Sequence, residues 1–155
     1  ITKKTIDVDL NLETNFGPES IKNNIDSKPE FVWMTAESLG DNDPALNYYS
    51  NLPAVFIFDK PLLNYLQLST KRIIFLLDCL RELSNKRSTQ VYLDDPIEYL
   101  KNKNFASTFA AVPKYKKITR VNIPTTEFPS VRLVKPINFY PSSYSSWKKR
   151  IEFNI

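Results

Sequence analysis

The chain is expected to be an α/β protein, a Rossmann-like open sheet of about five mostly parallel strands with helices on both faces. Three features predict it. Short apolar runs alternate with helical patterns from Pro29 onward. Two of those helical patterns open on an Asp-Pro pair, at Pro44 and at Pro96. The longest one carries its leucines on a single face. Strands that alternate with helices are joined by crossovers, and crossovers make parallel sheets covered on both sides.

Residues 1–28 read as an N-terminal extension to a domain at 29–155. Ile6, Val8, Leu10 and Leu12 alternate with Asp7, Asp9 and Asn11, the period-2 pattern of a half-buried strand. That segment is either an extra edge strand or a tail, and "NFGPESIKNNIDSKP" after it reads as a linker. "FVWM" at 31–34 is a continuous apolar run, as in a strand buried on both faces. Pro44, behind Asp41 and Asp43, marks a helix start over 44–50, and either carboxylate is a candidate cap for the free N–H groups ahead of Ala45.

"LPAVFIFDK" at 52–60 predicts a second strand that ends on Asp59. The clearest helix spans 69–86, with Ser69 as its cap and Ile73, Leu76, Leu77, Leu80 and Leu83 as a buried stripe. "QVYLDD" at 90–95 and "ASTFAAV" at 106–112 are strands three and four, with a short helix from Pro96 between them. "SVRLV" at 130–134 is the candidate fifth strand.

Composition narrows the chemistry. The chain has no histidine, which excludes His-based triads and most transition-metal sites. Gly17 and Gly40 are the only glycines, so no glycine-rich phosphate cradle can be written. The single Cys79 excludes an internal disulfide, reads as a core residue and favours a cytoplasmic setting. No apolar run approaches the ~18 residues of a membrane span, so no membrane partner is expected. The N-terminal "ITKKTIDVDL" has no signal-peptide core and no initiating Met, which reads as a trimmed start.

Charge is uneven. From Pro113 onward nine Lys/Arg face two Glu, leaving −3 for the remainder of a chain at +4. Lys114, Lys116, Lys117, Arg120, Arg132, Lys135, Lys148, Lys149 and Arg150 interleave with Tyr115, Tyr140, Tyr144 and Trp147. Cations beside stacking aromatics suit single-stranded nucleic acid, bound weakly and with salt sensitivity.

Five stretches in order resemble the N-terminal α/β domain of the DNA photolyase/cryptochrome family. They are "VWMTAESLGDNDPAL", "LPAVFIFD", "LSTKRIIFLLDCLREL", "DDPIEYL" and "SSYSSWKKRIE", together covering about Phe31 to Glu152. Val32, Trp33, Pro44, Ala45 and Leu46 match the opening motif, and Arg72, Phe75, Leu76, Leu77 and Leu80 match the long helix. The departures are Thr35, Ala36, Glu37 and Leu39, where the family has a charged loop.

In that family this domain carries an antenna chromophore, a folate or a flavin-like ring, along the carboxyl ends of the strands. The resemblance thus implies a non-catalytic module for an aromatic ligand or a partner. A separately encoded photolyase half that docks on a flavin-domain protein is the alternative. The helical FAD-binding domain is not in this sequence, so light-driven repair by the chain alone is not expected. Thr35, Glu37, Asp59 and Asp95, with Ala110 as a small floor, are the candidate ligand-binding residues, and an aromatic ring suits them better than an anion. No catalytic or metal-binding residue is assigned.

Overall fold

The computed structural model describes residues 17–66, 68–134 and 142–151. Gly17–Val131 form one compact unit, and the described residues from Arg132 onward belong to a second. The strand expected over residues 6–12 lies outside the described residues.

Within 17–131 the chain runs β1 (Lys22–Asn23), β2 (Phe31–Met34), a 3-10 turn (Ala36–Ser38), α1 (Pro44–Tyr48), β3 (Ala54–Asp59), α2 (Lys60–Leu66) and α3 (Thr70–Ser84). It continues through β4 (Thr89–Asp94), α4 (Pro96–Leu100), β5 (Phe105–Thr108), α5 (Pro113–Val121) and β6 (Thr126–Phe128). The six strands form one sheet in the order β1-β6-β5-β2-β3-β4. β2 through β6 are parallel, with Val32 beside Ala54 and Ala106, and β1 is antiparallel to β6. This is the predicted α/β architecture with one strand more. The extra strand is Lys22–Asn23, within the stretch read as a linker.

Alternation along the strands builds two apolar layers. Phe31, Trp33, Val55, Ile57 and Phe105 pack against Leu100, Tyr115 and Ile118 of α4 and α5. Val32, Met34, Ala54, Phe56 and Phe128 pack on the other side against Ala45, Leu46, Leu80 and Leu83 of α1 and α3. All four residues of β2 are buried, because the strand is central and covered on both faces.

Asp-Pro opens two helices in the same way. The Asp43 carboxylate accepts from the Leu46 N–H at 2.8 Å, and that of Asp95 accepts from the Ile97 N–H at 2.9 Å, with a proline at the first helical position each time. Asp43 is therefore the cap of α1, and Asp41 instead pairs with Lys86 on the surface. The Ala45 N–H donates to Thr108 Oγ1 at 3.2 Å, tying α1 to the end of β5.

Two expectations need correction. The leucine stripe of α3 is buried only in its second half. Leu80 and Leu83 are core residues, Ile73 and Leu76 are half-buried, and Leu77 is 47% exposed. Leu77 sits on the flank of the stripe, turned to the surface beside Leu76, which lines a cavity. Ser69 stands at the cap position of α3 without a side-chain hydrogen bond; its carbonyl accepts from the Arg72 and Ile73 N–H groups.

The last strand also falls earlier than expected. It is Thr126–Phe128, and residues 130–133 are not a strand, with Val131 and Leu133 mostly exposed. The actual strand was hidden by its polar residues. Thr126 is buried, and Glu127 accepts the Tyr115 hydroxyl at 2.8 Å. In the second unit the described element is α6 (Tyr144–Lys148), capped by Ser143, whose hydroxyl accepts from the Ser146 N–H.

Candidate functional site

β2 leads to β3 and β4 on one side, and the chain then returns to place β5 and β6 on the other. The carboxyl ends of such strands, near the point where the order reverses, are where open α/β sheets bind ligands. A cavity of about 360 Å³ opens there, between the ends of β2 and β3, helices α2 and α3, and the start of α5.

Its walls are mostly apolar. Trp33 forms part of the floor, with its ring stacked parallel on Tyr115 at 5.6 Å. Leu62, Leu63, Leu68 and Leu76 line one side, and Val112, Pro113 and Ile118 the other. Among its polar lining residues are Thr35, Glu37, Asp59 and Lys114.

Each polar group owes its place to a local feature. Thr35 follows β2, and its N–H donates to the Ser38 hydroxyl, which closes the 3-10 turn. Thr35 Oγ1 is buried without a hydrogen-bond partner. Glu37 stands exposed on the same turn. Asp59 ends β3, where Oδ1 accepts from the Leu62 N–H at 2.7 Å and Oδ2 pairs with Lys114 Nζ at 2.5 Å. The Asp59 side chain is 14% exposed and that of Lys114 36%, so the ion pair is largely sheltered.

Three of the five candidate ligand-binding residues, Thr35, Glu37 and Asp59, thus meet at one cavity. The other two do not line it. Asp95 caps α4, and only its neighbour Pro96 reaches the cavity. Ala110 is 4% exposed inside the core cluster, so the floor belongs to Trp33 and Tyr115. Lys114, expected on a nucleic-acid surface, pairs with Asp59 instead. An Asp closing a strand and a Lys in the first turn of a later helix carry no sequence signal that they will meet.

The remaining basic candidates fall in two units. On α5, Lys117 and Arg120 are exposed and Lys116 is half-buried. Trp147, Lys148, Lys149 and Arg150 lie on or just after α6, where the Trp147 ring is 5.5 Å from Tyr144. Lys135 and Tyr140 lie outside the described residues.

Two buried groups, Asp43 under α1 and the cavity-lining Tyr115, have displaced titrations. Burial raises the Asp43 carboxyl above its ordinary value, against the lowering effect of the hydrogen bond it accepts from the Leu46 N–H. Burial, then the Glu127 charge, drives the Tyr115 phenol upward, so Tyr115 stays neutral and acts as a donor. Among the described residues no group of His, Cys, Asp and Glu could hold a metal ion, and no helix is long and apolar enough to cross a membrane. No family model, curated protein or solved structure matches the chain, and the likeness to the photolyase/cryptochrome α/β domain rests on the five quoted stretches.

Proposed function

We propose that this chain is a non-catalytic α/β module, related to the photolyase/cryptochrome α/β domain, that binds a flat aromatic ligand in the cavity at the ends of β2 and β3. The supporting observation is the cavity's composition: apolar walls and an aromatic floor, with a few polar groups among them. Such a distribution orients a ring while burying most of its surface. At about 360 Å³ the volume suits a ring system rather than an entire dinucleotide. Thr35 Oγ1 would hydrogen-bond the edge of the ring, and the Asp59–Lys114 pair would supply an acceptor and a donor at the rim. A folate or flavin-like ring is the ligand class the family resemblance favours, and a cytoplasmic setting belongs to the same reading.

The test is a thermal-shift screen with folates, flavins and nucleotides, alongside the absorption spectrum of freshly purified protein. A folate or flavin should raise the melting temperature, and Asp59→Ala and Lys114→Ala should each reduce the shift. No shift with any ring compound, and no absorbance above 300 nm or so, would overturn the reading.

Docking on a separate flavin-domain protein is the second reading, again from the resemblance. Exposed Ile74 and Phe75 on α3 favour it, since apolar side chains left at the surface of a helix mark contact sites.

A further inference from the structure

We propose that the free edge of β4 is a homodimer interface, in which two copies pair their β4 strands antiparallel about a two-fold axis. β4 ends the sheet, paired with β3 on one side and with nothing on the other among the described residues. It is also thinly covered: on one face the Tyr92 ring meets Tyr99 of α4 at 4.6 Å, and the other face is open. After Thr89 every residue of the strand is exposed, with Val91 at 43%, Tyr92 at 37% and Leu93 at 63%.

The openness of the Val91 and Leu93 face has a structural cause. Val91 and Leu93 are in register with Phe56 and Phe58 and so share the face that α3 covers. Yet α3 sends Leu80 and Leu83 into the cluster built on Val32, Met34 and Phe56, and β4 stays outside it. Edge strands are ordinarily blunted by lysine, proline or a bulge. No Lys, Arg or Pro lies between Thr89 and Asp94. An apolar edge with open backbone groups accepts another strand.

Symmetry and charge favour a second copy as that strand. A two-fold axis perpendicular to the sheet keeps each face on its own side, so directly opposed residues must be both odd or both even in number. With Tyr92 on the axis, Val91 of each copy faces Leu93 of the other, and Gln90 faces Asp94. Opposed apolar pairs on one face are the stabilising unit of a sheet. β4 ends on Asp94 with Asp95 next, and before it Lys86 is paired with Asp41 and Arg87 is bonded to loop carbonyls. Antiparallel pairing sets Asp94 and Asp95 of each copy opposite Gln90 and Thr89 of the other, so no carboxylate opposes another. The contact is isologous and closes on itself.

Sedimentation velocity over a range of protein concentrations tests this. The wild type should shift from 18.0 kDa to twice that mass as concentration rises. Leu93→Lys should stay monomeric with an unchanged circular dichroism spectrum and melting curve, since the side chain is exposed. In a Cys79→Ser background, Tyr92→Cys should form an intermolecular disulfide on mild oxidation, and Val91→Cys should do so several-fold more slowly. A wild type that stays monomeric at its highest soluble concentration would overturn the proposal, whatever other protein binds there. So would a dimer that survives Leu93→Lys.

Discussion

Asp43 is asked to do two opposed things: cap α1 and sit at 6% exposure with its second oxygen unpartnered. Burial wins, and the carboxyl is raised above 3.8. A carboxyl held high in the fold keeps a proton that the unfolded chain has already released. Stability therefore falls as pH rises from about 4 through the folded value, and the loss is complete above it. Asp43→Asn keeps a good cap while removing the charge. The variant should match or exceed the wild type at neutral pH and lose this decline, as read from urea midpoints between about pH 4 and 8. Asp43→Ala should cost about 1 kcal/mol. A wild type that gains stability with pH relative to Asp43→Asn would show the sign to be wrong. Thr35 gives a related case: its buried, unpartnered hydroxyl is a liability without ligand. Thr35→Val should leave the free protein as stable or up to ~1 kcal/mol more stable, and weaken the response to a ring ligand in the thermal-shift screen.

At the scale of elements, α3 shows where sequence reasoning succeeds and where it stops. The period of its apolar residues identified the helix, and Leu80→Ala should cost on the order of 2–5 kcal/mol by leaving a core cavity. Period alone could not say which turn meets the core. Leu77 has the right spacing and is 47% exposed, so Leu77→Ala should cost under roughly 1 kcal/mol in urea unfolding. β2 and β3 were legible because central parallel strands are apolar throughout; β6 was not, because Thr126 and Glu127 find polar partners elsewhere in the chain, Tyr49 and Tyr115, that no local pattern announces. Arg87 was invisible for the same reason. Its guanidinium donates to the carbonyls of Leu46 and Tyr49 at 3.0 and 2.8 Å, and also to those of Ser50 and Leu52, pinning the loop from α1 to β3. A lysine cannot reproduce that fork. Arg87→Lys should thus lose roughly 1.5–3 kcal/mol, and a variant as stable as the wild type would show that the loop holds itself.

Over the whole chain, the basic C-terminal third was read from charge alone, and the structure changes how much of it a phosphate backbone could meet. Lys114 is neutralised by Asp59, so the described surface of α5 contributes exposed cations at Lys117 and Arg120. Each phosphate contact adds about −0.7 to the log–log salt slope on a single strand. Two contacts from α5 would account for roughly −1.4 of that slope. Replacing Lys117 and Arg120 together by alanine should flatten the measured slope by about that amount. Lys114→Ala should leave the slope unchanged while weakening the ring ligand. A fluorescence titration with labelled single-stranded DNA at several salt concentrations separates the two effects, because the double variant moves the slope and Lys114→Ala does not. Equal losses of slope for both would place Lys114 on the nucleic-acid surface and detach it from the cavity. Sub-micromolar affinity that ignores salt would reject the electrostatic account altogether.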